Sequence, residues 1–100
     1  MQYVITALDF TDEDAINRRN THREAHLVGI KNMADAGVFK SGGAILDDSG
    51  KMIGSTAHVE FSEKAGLDHW ITNDPYTTGK VWEKVDIKPV HLFPMETRPK

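Results

Sequence analysis

The chain has 100 residues, 39% of them hydrophobic and 27% charged, and its 12 basic against 15 acidic side chains leave a formal charge of −3. That length suits one small core, and the acid excess argues against nucleic acid as a main partner. The sequence has no cysteine, hence no disulfide, thiolate nucleophile or zinc finger, and MQYVITALDF lacks a basic leader segment; with no apolar run near the ~20 residues of a membrane span, a cytoplasmic protein is expected.

Residues 2–8, QYVITAL, are β-branched and aromatic and predict a strand. Its alternating sets, Tyr3, Ile5 and Ala7 against Val4 and Leu8, are both partly apolar, which predicts cover on both faces. Thr11 or Asp12 is placed to cap a long helix over residues 12–36, which Gly37 ends. VFKSGGAIL, 38–46, reads as a second strand, DDSGK, 47–51, as a hairpin turn, and MIGSTAHVEF, 52–61, as a third strand. Ser62 is placed to cap a second helix, running to Asn73 with Leu67, Trp70 and Ile71 as its apolar stripe. KVDIKPVHLF, 84–93, predicts the last strand, and Pro89 within it argues for an edge or a bulge. Residues 1–94 are expected to form one domain and residues 95–100 a loose tail.

This order is β-α-β-β-α-β, the ferredoxin-like α+β pattern: a four-stranded antiparallel sheet with two helices on one face. Two helices leave the other sheet face bare. A second copy of the chain is the simplest cover, so a homodimer through the open face is expected.

Placing side chains at ~100° intervals around the long helix puts Ile16, Leu27, Ile30, Met33 and Ala34 on one apolar stripe, with Arg23 near its middle and His26 close by. Polar groups on a buried stripe mark either function or a satisfied pair. Arg23 has two readings here, a buried charge or a side chain that snorkels past the helix edge. His22 and His26 stand at i and i+4, but Arg23 takes the place of the water-activating glutamate of a zincin helix, and no third ligand is close in sequence. No metal and no cofactor are expected.

NDPYTTGK, 73–80, ends like a phosphate-binding loop, but the pattern needs glycine where Asp74 stands and Ser or Thr where Val81 stands. Pro75 disfavours helical geometry at Asp74, so the second helix should stop there.

Several of these segments together resemble the YCII-related (YciI-like) family: the strand YVITALD, the helix stretch RxxHL at Arg23–Leu27, Ser41-Gly42-Gly43 after Gly37, the acidic hairpin DDSGKMIGS, Asp74-Pro75-Tyr76, and the run KVDIKPV. Gly66, in the helix before Asp74, is a small departure bearing on helix stability. The resemblance implies a dimeric α+β barrel and a His–Asp active site made of His26 and Asp74. Such a pair suits general acid–base catalysis, because the carboxylate fixes the histidine tautomer and supports the imidazolium. Arg23 is then a candidate to hold a substrate carboxylate or enolate oxygen. Gly42 and Gly43 would let backbone amides approach a ligand, or mark a bulge. Ser41 and Tyr76 complete the candidate substrate-binding set, with Tyr76 equally able to pack beneath the turn. The expected function is a small cofactor-independent enzyme for isomerisation, elimination or hydrolytic removal of a leaving group from a small organic acid, lactone or cyclic ketone. The ligand is expected to be anionic, with neither nucleic acid nor membrane as partner. The alternative is a non-catalytic binding or accessory dimer in which Arg23, His26 and Asp74 form a structural network.

Overall fold

A computed structural model describes residues 1–94; the expected tail, 95–100, lies outside the described residues. The elements run β1 (Gln2–Asp9), α1 (Ala15–Asp35), β2 (Phe39–Leu46), β3 (Met52–Glu60), α2 (Lys64–Asn73), α3 (Pro75–Thr78) and β4 (Trp82–Val90). The sheet order is β2-β3-β1-β4 with every neighbouring pair antiparallel, which is the expected ferredoxin-like α+β fold. No helix among the described residues is long and apolar enough to cross a membrane.

Alternation in β1 sends Tyr3, Ile5, Ala7 and Asp9 to the helix-covered face, where all four are buried. Ile5 lies opposite Ala57 and Ile87, and these pack with Val59, with Leu67 of α2 and with Met33 of α1. A second cluster, Ala7, Tyr76, Val81 and Trp82, fills the end of the sheet nearest α3. The other face carries Val4, Thr6 and Leu8, and Leu8 is 43% exposed. The double cover that β1 predicted is therefore absent within one chain.

Element ends moved for local reasons. Helix α1 begins at Ala15 instead of residue 12, with Asp14 at its N-cap position and the Asp12 carboxylate held in a bidentate pair with Arg18 at 2.7 and 2.8 Å. Its C-terminus is as expected: Gly37, at φ 79°, is in the left-handed region, and Val38 N–H returns to the Met33 carbonyl at 2.8 Å. The N-cap position of α2 falls on Glu63, one residue beyond Ser62. In the β2–β3 turn, Asp47 Oδ1 accepts from the backbone N–H groups of Ser49 and Lys51, which closes the hairpin. Strand β4 runs from Trp82 to Val90 instead of 84–93, and it is an edge strand, as Pro89 indicated.

Candidate functional site

Pro75 forces Asp74 into an extended conformation, φ −60° and ψ 139°, which ends α2. The same geometry makes Asp74 the N-cap of α3, with Pro75 at its first position. Asp74 is 4% exposed; it accepts from the Tyr76 backbone N–H at 2.9 Å and the Trp70 indole N–H at 3.0 Å, and its Oδ2 is 2.7 Å from His26 Nδ1. The stop signal and the histidine partner are thus one residue.

With those two N–H donors on it Asp74 is an acceptor, and the tautomer that matches it carries the proton on Nδ1 of His26. Nε2 is left as the ring's acceptor, and among the described residues it has no hydrogen-bond partner. The ring stacks on Tyr76 with centroids 3.9 Å apart and an 11° interplanar angle, and meets the edge of Trp82 at 5.8 Å. Two aromatic walls and one hydrogen bond therefore fix its orientation.

His26 opens into a cavity of about 210 Å³ between α1 and the β2–β3 part of the sheet. Its walls are mainly apolar and aromatic, with Ile5, Leu27, Phe39, Trp70, Tyr76 and Trp82 among them. Burial pushes the Tyr76 phenol above its ordinary pKa, and the charges of Arg19 and Arg23 pull it back. The phenolic oxygen has no hydrogen-bond partner among the described residues.

The other expected residues divide. Gly42 and Gly43 both line the cavity. The bulge lies beside them, where the register shifts between Phe39 and Ser41. Gly42 is needed for space, since a Cβ there would stand 2.5 Å from the Thr56 carbonyl oxygen. Arg23 is exposed at the cavity rim, not buried at the centre of the stripe, and among the described residues it has no ion-pair partner. It makes no bond to His26 or Asp74, so the three do not form one network. Ser41 is away from the cavity and shares a 2.9 Å hydrogen bond with His58, its cross-strand neighbour. His22 is also apart from His26, with its ring against Gly79.

The buried face of α1 is set by Ala15, Arg19 and His26. Arg19, which the apolar stripe did not pick out, is 3% exposed. Its Nη1 donates to both oxygens of Asp9 at 2.9 and 2.8 Å, and its Nη2 to the Gly54 carbonyl and to Ser55 Oγ, each at 2.9 Å. The Trp82 indole N–H also donates to Ser55 Oγ, at 3.1 Å. Burial pushes the Asp9 carboxyl above its ordinary pKa, against the opposing pull of Arg19. The guanidinium carbon is 4.8 Å from the centre of the Tyr76 ring, so Tyr76 touches both polar groups of the site. A signal for this second group was present: Asp9 continues the buried alternation of β1, and Arg19 is two helical turns before His26.

Comparison with known proteins agrees with this architecture. Among solved structures, 5-chloro-2-hydroxyhydroquinone dehydrochlorinase (TftG) from Burkholderia phenoliruptrix AC1100, in complex with 2,5-dihydroxybenzoquinone, is similar with a TM-score of 0.78 at 20% identity, covering 91% of this chain and 94% of that one. The proteins called YciI from Escherichia coli O6:H1 and Shigella flexneri are each 33% identical over 95 residues, covering 89% of this chain and 95% of theirs. The sequence profile of the YCII-related domain matches residues 1–91, and the chain belongs to that family.

Proposed function

We propose that the chain is a small cofactor-independent enzyme in which His26 Nε2 is the general acid–base group and Asp74 holds the ring in the required tautomer. The observation that carries this reading is the asymmetry of His26: Nδ1 is committed to Asp74 at 2.7 Å, while the residue lines a mainly apolar cavity and its Nε2 has no partner among the described residues. Nε2 takes a proton from a ligand carbon or hydroxyl, and the imidazolium so formed is stabilised by Asp74. Negative charge developing on the ligand is drawn toward the guanidinium of Arg23 at the rim, which has no ion-pair partner among the described residues.

Size narrows the substrate. Cavities near 150 Å³ accommodate benzene, so about 210 Å³ suits one ring with a few small substituents. The compound class is a small cyclic ketone, lactone or hydroxylated ring acid, and the reaction class is isomerisation, elimination or hydrolytic loss of a leaving group. The compound named for the Burkholderia neighbour, 5-chloro-2-hydroxyhydroquinone, is of that size and is the first probe. The working unit is a homodimer in which the open sheet faces of two copies cover Val4, Thr6 and Leu8.

The test is chloride release from that probe and turnover of a panel of one-ring lactones and ketones. The parent is expected to accelerate at least one compound, and His26→Ala and Asp74→Asn to lose about 10²–10⁴ in rate. Equal rates for parent and variants contradict the assignment. Binding without turnover by the parent favours the non-catalytic reading of the same cavity.

A further inference from the structure

The His26–Asp74 pair leaves one polar feature of the cavity unused. Ser55 lines the wall on β3, and its Oγ accepts from Arg19 Nη2 at 2.9 Å and from Trp82 Nε1 at 3.1 Å. A guanidinium and an indole are donors only. A hydroxyl has two lone pairs and one proton, so both acceptor positions of Ser55 are occupied by groups that cannot take its proton. No acceptor among the described residues stands against that proton. The cavity that Ser55 lines is where a ligand acceptor can meet it.

Arg19 cannot serve the ligand in its place. Nη1 is held by both Asp9 oxygens and Nη2 by Gly54 and Ser55, which leaves the buried Nε alone without a partner. The guanidinium charge instead reaches the cavity through Ser55, because a hydroxyl that accepts a bond from a cation becomes a stronger donor. Tyr76 lies against both polar groups, with the His26 ring 3.9 Å and the Arg19 carbon 4.8 Å from its centre. His26 and Ser55 both line the cavity.

We propose that Ser55 is a ligand-contacting residue: its O–H binds the acceptor oxygen, carbonyl or enolate, of a single-ring compound whose other side meets His26 Nε2. Arg19 and Trp82 are positioning residues that fix the hydroxyl as a donor. The substrate class deepens accordingly, to rings that carry an acceptor oxygen opposite the proton handled by His26. This rests on the acid–base reading of His26, but its readout is affinity and not rate.

The experiment is calorimetric titration of the full chain with 2,5-dihydroxybenzoquinone, for the parent, Ser55→Ala and Ser55→Thr. Losing a hydrogen bond to a charged acceptor should weaken binding about 10- to 100-fold in Ser55→Ala. Ser55→Thr, which keeps the hydroxyl, should remain within about threefold of the parent. A crystal structure of the parent complex should place a ligand oxygen about 2.7 Å from Ser55 Oγ. That measurement stands even where a variant fails to fold. Ser55→Ala affinity equal to the parent, Thr as weak as Ala, a ligand oxygen remote from Ser55, or no binding to the parent overturns the proposal. Failure of the His26 reading appears separately, as turnover that is indifferent to His26→Ala.

Discussion

Replacing Arg19 with methionine removes the cation from the most enclosed Arg/Lys–carboxylate pair among the described residues. Arg19 is 3% and Asp9 8% exposed, and two hydrogen bonds of 2.9 and 2.8 Å join them. In Arg19→Met the Asp9 carboxylate is left buried without a counter-charge, and Ser55 loses one of its two donors. Breaking a buried pair from one side costs about 3–5 kcal/mol. For a domain whose total stability is about 5–15 kcal/mol, the expected fall in Tm is at least about 12 °C. The double variant Arg19→Met/Asp9→Leu removes both charges and should recover most of that loss. The loss should also depend on pH. Burial holds the Asp9 carboxyl above its ordinary value of 3.8, with Arg19 opposing the rise. A raised folded-state value favours the protonated carboxyl in the folded chain, so its contribution to stability is full below 3.8 and is lost as pH rises through the folded value. Without Arg19 the rise is larger, so the deficit of Arg19→Met should widen as pH climbs from about 4 to about 8. Urea unfolding of all three proteins across that range measures this. A deficit below about 1 kcal/mol, or one that ignores pH and is not relieved by Asp9→Leu, would refute the argument.

Gly42→Ala should destabilise by about 1–3 kcal/mol in thermal melts, because the new Cβ would stand 2.5 Å from the Thr56 carbonyl oxygen and 2.6 Å from the Phe39 ring. Gly43→Ala, which meets nothing within 4 Å, should stay within about 0.5 kcal/mol of the parent. The Asp12 carboxyl, held down to about 2 chiefly by its hydrogen bonds from Arg18, should titrate near that value by NMR and return toward 3.8 in Arg18→Ala. Its depressed value adds stability above pH 3.8 that disappears as pH falls through about 2. Sedimentation should give twice the 11.2 kDa chain mass, and Leu8→Lys on the open face should shift the protein toward monomer.

The fold was legible because its signals are local. Alternation in β1, Gly37 after α1, the Asp47 turn and the Pro75 stop each act within a few residues, and their order fixes a β-α-β-β-α-β topology. Family resemblance directed attention to His26 and Asp74, and the pre-proline conformation explains how a helix stop also turns a carboxylate toward α1. Arg19 was not found because the buried face of α1 carries Arg19, His22 and His26, half-buried or deeper, while Leu27 and Val28 are 42% and 57% exposed. A stripe drawn through apolar residues is therefore rotated away from the true one, and it placed Arg23 at the centre instead of the rim. Ser41 was misplaced by strand parity. The register shift between Phe39 and Ser41 sets Ser41 beside His58, on the side opposite Gly42 and Ala57.

The central claim is that Asp74 holds His26 as the Nδ1–H tautomer, with Nε2 presented as a base. Nitrogen-15 NMR of the imidazole, which distinguishes protonated from unprotonated ring nitrogens, reads this without any substrate. At a pH where the ring is neutral, the parent should show protonated Nδ1 and bare Nε2, and Asp74→Asn should shift toward a mixture of tautomers. A parent spectrum with the proton on Nε2 would contradict the account, because the ring would then present the cavity with a donor and not a base.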